Sequence, residues 1–309
     1  VPIPDRMDQS PSPEALVADL THLLSVVPDA PDVFHGTRTP ATAVGGPGRL
    51  FGGQVIAQSL AAAEATVVPD RPCHSLHAYF LRMGRADLPI RFEVARDLDG
   101  GSFSNRRVVA SQRQDDGSDR PILTLTASFQ RLEEGLRHQD PMPDVPPPET
   151  LKSDQRRRRD HAELFPESYH NALFSDRPIE LRTVETPRWL DPTPAPAIHH
   201  CWVRTPAPVR DEPRLHRAML AYASDLALMP TAMVPHGQSG LRGTMHEASL
   251  DHAMWFHDDF RIDDWLLYQT TSGWTGRGRG FITGRVWRRD GTLVASVSQE
   301  GMMRIARQR

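Results

Sequence analysis

The sequence predicts an α+β fold built from two tandem units, each with one helix wrapped by an antiparallel sheet. Three observations predict it. Apolar residues at three- and four-residue spacing indicate a helix at Leu215–Pro230. In each half of the chain, strand-like runs joined by short turns follow a helix. The pattern of the first half then recurs in the second half at a nearly constant shift, which indicates a duplicated unit.

The composition of the 309-residue chain is that of a globular protein, with 39% hydrophobic and 24% charged residues. A net charge of -3 provides no overall basic field for nucleic acid. Two cysteines, Cys73 and Cys201, are too few for a disulfide framework and indicate a reducing compartment. No apolar run approaches the roughly 20 residues of a membrane span, and the first residues lack signal-peptide features. We therefore expect a cytoplasmic protein without a membrane anchor.

The first unit is expected to cover residues 11–130. It begins with an amphipathic helix at Pro13–Val26 and an edge strand at Asp32–Thr39. Gly52 and Gly53 precede an alanine-rich helix, Gln54–Val68, which is apolar nearly all round. Four runs with strand composition follow: His74–Arg82, Ile90–Arg96, Phe103–Gln112 and Ile122–Gln130.

Residues 131–177 interrupt this pattern and are expected to form a linker outside both units. The segment contains a proline-rich stretch and the charged run of residues 154–161, DQRRRRDH. Four arginines in a row invite a phosphate or nucleic-acid interpretation. Acidic neighbours and the absence of interleaved aromatic residues favour a solvated linker face instead.

The second unit is expected to cover residues 178–309. After two strand-like runs comes the helix Leu215–Leu228, which we expect Pro230 to end because proline lacks a backbone N–H. A shift of 175 residues places His77 on His252, and the strands that follow each histidine also align. Aligning the two helices sets Glu64 against Asp225. One helix ahead of four or five antiparallel strands is the hot-dog arrangement, so the duplication predicts a double hot-dog with its two sheets edge to edge.

Several polar features have two interpretations at this stage. Asp225 lies at the edge of the apolar helix face, where it is either solvated or chemically active. The Gly52–Gly53 pair is either a tight turn or a helix start that leaves backbone N–H groups open to a negative charge. His74 is either a base or a hydrogen-bonded strand histidine. Neither Cys73-His74 nor His199-His200-Cys201 has the paired spacing of a zinc site, so no metal is expected.

Seven segments together resemble the acyl-CoA thioesterase II family of double hot-dog enzymes, in the same order along nearly the whole chain. They are FGGQVIAQSL (51–60), HSLHAYFLRMG (74–84), GGSFSNRRVVASQ (100–112), LTASFQ (125–130), AYASDLALMP (221–230), SLDHAMWFH (249–257) and ASVSQEGMMR (295–304). The resemblance implies hydrolysis of acyl-CoA without a cofactor, and a homo-oligomer (dimer or tetramer). It places the family's water-activating Asp, hydroxyl and Gln on Asp225, Ser249 and Gln299.

Thioester hydrolysis supports these assignments on chemical grounds. Asp225 can accept a proton from water, while Ser249 and Gln299 can each donate and accept hydrogen bonds that orient it. Backbone N–H groups at Gly53 and Gln54 are candidate donors to the oxyanion. The family commonly has Thr where this chain has Ser249, which keeps the hydroxyl but loses the methyl group. The first half has no Gln matching Gln299, so we expect one active site per chain.

Other functions remain open from the sequence. A serine nucleophile would require a GxSxG elbow, which the chain lacks. An enoyl-CoA hydratase of the hot-dog type needs Asp and His on one segment, and no such pair precedes a glycine-rich helix start. A non-catalytic acyl-CoA-binding protein would use the same pocket. Candidate partners for the CoA phosphates are four arginines, Arg106, Arg107, Arg277 and Arg279.

Overall fold

A computed structural model describes residues 11–37, 48–242 and 245–306 of the chain. Its helices are α1 (Pro13–Leu24), α2 (Gly52–Glu64), α3 (Asp154–Asp160), α4 (His170–Phe174), α5 (Pro213–Ser224) and α6 (Met229–Met233). Its strands are β1 (Val26–Ala30), β2 (Val33–Gly36), β3 (Cys73–Phe80), β4 (Ile90–Asp99), β5 (Phe103–Arg113), β6 (Asp119–Gln130), β7 (Glu180–Thr183), β8 (Ile198–Arg204), β9 (Met245–Ser249), β10 (Asp251–Phe256), β11 (Leu266–Gly276), β12 (Arg279–Arg288) and β13 (Leu293–Ile305).

The strands form one continuous antiparallel sheet in the order β1-β2-β4-β5-β6-β3-β10-β13-β12-β11-β8-β7, with β9 added on β13. The second half of this order mirrors the first, strand for strand. The two units therefore join edge to edge through β3 and β10, as the duplication predicts. The four strands predicted for the first unit are all present. The predicted edge strand corresponds to β2, and a further strand, β1, pairs with it on the outside. Residues 38 and 39 of the predicted strand lie outside the described part of the chain.

The pairing of β3 with β10 has the symmetry that a 175-residue repeat requires. Ala78 pairs with His252, and His77 pairs with Ala253. Adding 175 to residue 78 and subtracting it from residue 252 converts the first pair into the second. The predicted equivalence of these strands is confirmed, because a different shift would not map the ladder onto itself.

Helices α2 and α5 pack against each other inside the curve of the sheet. Almost every side chain of α2 is buried, which agrees with its predicted apolar surface on all sides. In α5, the side chains of residues 216–224 are likewise buried. Ile56, Leu60 and Met219 are completely inaccessible to solvent and lie in one apolar core that spans both units. This is the predicted double hot-dog fold.

Helix α5 ends earlier than the sequence predicts. Its last residue is Ser224, and Asp225 is the C-cap rather than a residue of the helix interior. The hydroxyl of Tyr268 donates to the Ser224 carbonyl at 3.2 Å, so a tertiary partner takes a carbonyl that continuation of the helix would use. Pro230 does not end this helix but lies in the first turn of α6, where a missing N–H costs nothing.

The segment 131–177 does not stand apart from the second unit. Met142, Val145 and Leu151 pack on a small apolar cluster of Trp202, Trp265 and Leu267, on the far side of the sheet from the main core. The indole N–H of Trp202 also donates to the Pro146 carbonyl at 2.9 Å. The expectation of an external linker is wrong because this sheet face carries large apolar side chains that need cover.

The charged run forms helix α3, and only one of its four arginines is exposed. Arg157 donates to the Thr183 carbonyl at 2.7 Å, and Arg159 pairs with Asp176 at 2.8 Å. The prediction of a solvated face is therefore correct for Arg156 alone. No helix in the described part of the chain is long and apolar enough to cross a membrane.

Candidate active site

The end of α5 brings Asp225 to the beginning of α2. The backbone N–H of Gly53 donates a hydrogen bond to the Asp225 carboxylate. A Cβ atom on Gly52 would lie 2.6 Å from Oδ2 of Asp225, and one on Gly53 would lie 2.5 Å from the Tyr222 carbonyl oxygen. Glycine is required at both positions because a side chain would push the two helix ends apart.

Ser249 and Gln299 reach the same point from two paired strands. β9 runs antiparallel to β13, with Ser249 opposite Gly301. Gln299 points to the inner face of β13 because it shares the two-residue alternation of the buried Val297 and Met303. The Ser249 hydroxyl donates to Oδ1 of Asp225 at 3.2 Å. The amide Nε2 of Gln299 donates to the Ser249 hydroxyl at 2.9 Å. The structure thus brings the three predicted side chains together.

Burial raises the pKa of Asp225 to about 7, although hydrogen bonds from Ser249, Gly53 and Gln299 oppose the shift. A carboxyl group with this pKa exchanges a proton readily near neutral pH. This is the property that a general base in a hydrolytic reaction requires.

A fourth polar residue, His252, continues the chain of hydrogen bonds. Its Nδ1 lies 2.7 Å from Oε1 of Gln299, and its Nε2 lies 2.9 Å from the Ser224 hydroxyl. His252 is completely buried, and burial lowers the pKa of its imidazole to about 4, so the ring is neutral at pH 7. Sequence reasoning used His252 only to align the repeats. Its signal was the strand alternation, which places His252 on the inner face with Met254.

The backbone N–H groups of Gly53 and Gln54 are both engaged. Gly53 donates to Asp225, and Gln54 donates to the Phe51 carbonyl at 3.2 Å. The geometry therefore gives Gly53 a role in positioning Asp225 and does not favour the expected role of this pair as oxyanion donors.

His74 lies elsewhere. Its Nε2 is 2.8 Å from the Ser128 hydroxyl, and burial lowers the pKa of the imidazole. His74 lines a cavity of about 1250 Å³ together with Arg217, and Asp225 does not line that cavity. The structure does not bring His74 to the cluster of Asp225, Ser249 and Gln299.

The counterpart of this cluster in the first unit is occupied by an ion pair. Glu64, which the helix alignment sets against Asp225, accepts a hydrogen bond from Arg217 at 2.9 Å, and both side chains are almost fully buried. The 175-residue shift places His74 where the second unit has Ser249. The first unit therefore lacks the arrangement of carboxylate and hydroxyl seen in the second.

Two adjoining cavities lie beside Asp225. A cavity of about 140 Å³ is lined by Asp225 with Phe51 and Tyr222, and by two arginines, Arg158 and Arg177. A larger cavity of about 260 Å³ shares four lining residues with it, Asp154, Arg158, Leu181 and Leu226. Beyond these, its walls are mainly apolar and include Trp189, Pro196, Ile198, Met233 and Val234.

Three of the four arginines expected to contact CoA, Arg106, Arg107 and Arg279, have other partners. Arg106 is fully buried and donates to Thr66, Leu98, Asn105 and Asp99. Arg107 and Arg279 pair with acidic residues, the latter with Glu300 at 2.8 Å. Arg106 is therefore a structural residue. Both cysteines are free and buried, and the described residues contain no cluster of three His, Cys, Asp or Glu that could hold a metal ion.

Comparison with known proteins places this geometry in a family. Residues 170–302 match the family model described as acyl-CoA thioesterase, and residues 40–130 match the acyl-CoA thioesterase N-terminal domain. Acyl-coenzyme A thioesterase 8 of Homo sapiens is 36% identical, over 93% of this chain and 89% of the human protein.

Solved structures agree with the sequence comparison. An acyl-CoA thioesterase II, TesB2, from Mycobacterium marinum is 38% identical with a TM-score of 0.73, covering 93% of this chain and 98% of that one. A hot-dog protein from Alicyclobacillus acidocaldarius is 21% identical with a TM-score of 0.71, covering 94% and 99%, and shows the fold alone. On these matches over nearly its full length, the chain belongs to the acyl-CoA thioesterase II family.

Proposed function

We propose that Asp225, Ser249 and Gln299 activate the water with which this acyl-CoA thioesterase hydrolyses its substrate. The observation that carries the proposal is a chain of hydrogen bonds that ends on Asp225. The Gln299 amide donates to the Ser249 hydroxyl at 2.9 Å, and that hydroxyl donates to the Asp225 carboxylate at 3.2 Å. The carboxylate forms one wall of a cavity large enough to admit part of a substrate.

In the proposed reaction, the water oxygen attacks the thioester carbonyl carbon while Asp225 accepts one proton. The carbonyl π electrons move to oxygen and return as the carbon–sulfur bond breaks. The thiolate of CoA then takes the proton from Asp225, which leaves a carboxylic acid, free CoA thiol and an unprotonated Asp225. A base with a pKa about 7 suits both transfers, because it gains and loses a proton near neutral pH. The route uses a water and three side chains and calls on no cofactor.

In this proposal, Ser249 and Gln299 orient the water relative to the Asp225 carboxylate. Removing either misaligns the attack, since a water free to rotate loses the advantage of a fixed approach. Their effects should not add to that of Asp225, because all three act on one water.

The alternative functions are not favoured. A hot-dog hydratase would need Asp and His acting on one segment, whereas Asp225 reaches Ser249 and Gln299 from separate elements. A non-catalytic binding protein would have no use for a carboxyl group with a pKa near neutrality held in hydrogen-bonding reach of a serine and a glutamine.

The test measures release of CoA thiol from a medium-chain acyl-CoA. Asp225→Asn should lower kcat by about 100-fold or more, the usual range for loss of a general base. Gln299→Ala should lower it nearly as much. His74→Ala should leave kcat within a factor of a few. The opposite pattern, with His74→Ala inactive and Asp225→Asn active, would move the site to the first unit.

We also propose a homo-oligomer, dimer or tetramer, that acts in the cytoplasm without nucleic acid as a partner. The family resemblance supports the oligomer, and the net charge of -3 supports the absence of a nucleic-acid role. Light scattering at micromolar concentration tests the assembly, and a single species of 34.6 kDa would contradict it.

A further inference from the structure

Arg158 on α3 is a cation inside the candidate substrate cavity. It lies at the junction of the two adjoining cavities, because it lines both the one that contains Asp225 and the larger apolar one. It comes from the segment between the two units, which sequence reasoning placed outside the site. A charged side chain at this junction needs a physical reason.

The guanidinium of Arg158 has no hydrogen-bond partner or close ion pair among the described residues. Its Nε is buried and unpaired. Its neighbours on the same helix differ, since Arg157 donates to the Thr183 carbonyl and Arg159 pairs with Asp176. Asp154 on the same helix attracts Arg158 electrostatically but forms no ion pair with it, and its carboxylate accepts from the N–H and hydroxyl of Thr183 at 3.1 and 2.9 Å.

The side chain of Arg158 is only partly exposed, and burial lowers the pKa of its guanidinium. A cation that is partly withdrawn from water without a partner is costly. A second cation, Arg177, lines the same small cavity. Neither arginine belongs to the cluster at the reacting centre, because Asp225 takes its hydrogen bonds from Ser249, Gly53 and Gln299. Two guanidinium groups therefore line this cavity together with the Asp154 carboxylate, and neither arginine is one of the water-activating groups.

We propose that Arg158 binds an oxygen anion carried by the substrate, with Arg177 as a second positive charge. The inference rests on the proposed function, since it assigns the substrate to the cavity that contains Asp225. Two parts of an acyl-CoA can supply such an anion: a phosphate of the CoA moiety, or a carboxylate at the far end of the acyl chain. A guanidinium recognises both through the same charge-assisted hydrogen bonds.

The variant Arg158→Gln tests the proposal on three substrates. The first is a medium-chain acyl-CoA. The second is the same acyl group on N-acetylcysteamine, a thioester without phosphates. The third is an N-acetylcysteamine thioester whose acyl chain ends in a carboxylate. Loss of a charge-assisted hydrogen bond should raise KM by about 10- to 100-fold for the substrate that carries the bound anion.

The pattern across the substrates identifies the source. A raised KM for the acyl-CoA but not for its N-acetylcysteamine analogue indicates a phosphate. A raised KM for the ω-carboxylated thioester but not for the other two indicates a carboxylate. The matched control is Arg156→Gln, two residues earlier on the same helix, because Arg156 is exposed and pairs with Asp160 at 3.0 Å. It should leave all three KM values within a factor of two.

Equal changes on all three substrates, or none, would overturn the proposal. Thermal unfolding supplies a second criterion, because removing an unpaired buried charge should leave Tm unchanged or raise it. A fall in Tm of many degrees would show that Arg158 has a structural partner and would equally overturn the proposal.

Calorimetric binding of CoA and of a dicarboxylic acid to the full chain separates this inference from the reaction itself. Arg158→Gln should weaken the binding of one of the two ligands about 10-fold or more, while the control Arg156→Gln should bind both as the parent protein does. If the parent protein hydrolyses none of the thioesters, the proposed function fails, whatever the binding data show.

Discussion

The Nδ1 atom of His252 lies 2.7 Å from Oε1 of Gln299. Because a neutral imidazole that donates from Nδ1 occupies the amide oxygen, the amide NH2 group is directed to Ser249, which it reaches at 2.9 Å. His252 thus determines which end of the Gln299 amide faces the reacting centre, without contacting Asp225 itself. It is a positioning residue.

Removal of this donor should lower kcat and leave KM nearly unchanged. We expect His252→Leu to reduce kcat by about 10- to 100-fold, because an unpaired amide oxygen costs about 1–3 kcal/mol and the amide becomes free to turn over. His252→Asn offers an N–H donor near the place of Nδ1 and should recover most of the rate. Steady-state kinetics of both variants, with thermal unfolding as the control for folding, checks this. Equal loss in both variants would indicate that only packing matters at this position.

The pH dependence of kcat/KM should report the titration of Asp225. With a pKa about 7, the base is protonated and inactive at lower pH, so the rate should rise about tenfold per pH unit up to that value and then level. In the Asp225→Asn variant, this rise of kcat/KM with pH should disappear. Measurement of kcat/KM from pH 5 to 8 tests this, and the same rise in the variant would show that another group titrates.

Asp225 and His252 should affect the pH dependence of stability in opposite directions. Between about pH 4 and 7, folded Asp225 holds a proton that the unfolded chain has lost, so its contribution to stability falls as pH rises. Between about pH 4 and the usual value of 6.5, the unfolded chain protonates His252 and the folded chain does not, so that contribution rises with pH.

Each substitution should therefore remove one of the two opposing contributions, so that the pH dependence caused by the other residue becomes measurable. Relative to the parent protein, the free energy of unfolding of Asp225→Asn should rise more steeply from pH 4.5 to 6.5, by up to about 1.4 kcal/mol per pH unit. That of His252→Asn should rise less steeply by a similar amount. Denaturant titrations at three pH values in this range measure both slopes, and parallel slopes in all three proteins would contradict the assignment.

Ser249 should tolerate threonine better than alanine. Ser249→Thr restores the residue that the family commonly has and keeps the donor to Asp225, so we expect kcat within about threefold. Ser249→Ala removes the hydroxyl that bridges Asp225 and Gln299. If this hydroxyl only orients the water, kcat should fall less in Ser249→Ala than in Asp225→Asn. Release of CoA thiol measures all three. A Ser249→Thr variant as impaired as Ser249→Ala would show that the methyl group is not accommodated.

The ion pair between Glu64 on α2 and Arg217 on α5 should matter for stability and not for turnover. Arg217→Met leaves the Glu64 carboxylate buried and unpaired, so the free energy of unfolding should fall by about 3–5 kcal/mol. The double variant Glu64→Gln/Arg217→Met should recover part of the loss, because no lone charge remains. Denaturant unfolding gives the energies. A loss of kcat per folded molecule in either variant would mean that the first unit contributes to the reaction.

The sequence by itself determined the duplicated architecture and the three candidate catalytic side chains. Strand and helix positions were predictable because periods of 2 and 3.6 residues report local burial, and both units repeat the same order of elements. The 175-residue shift predicted that β3 and β10 are equivalent strands, and their pairing in the structure has the matching symmetric register. The assignment of Asp225, Ser249 and Gln299 as candidates rests on the resemblance of the motifs around them to the acyl-CoA thioesterase II family.

Only the tertiary structure decided how α5 ends and which polar groups surround the site. The helix stops at Ser224 because Tyr268, from a distant strand, takes its carbonyl, and no local pattern encodes that competition. His252 acquires its role from Gln299, a residue 47 positions away. Arg158 belongs to a run of arginines that has every local mark of a solvated surface. It lies in the cavity because helix α3 packs on β7, so the environment of its charge depends on contacts between segments distant in sequence.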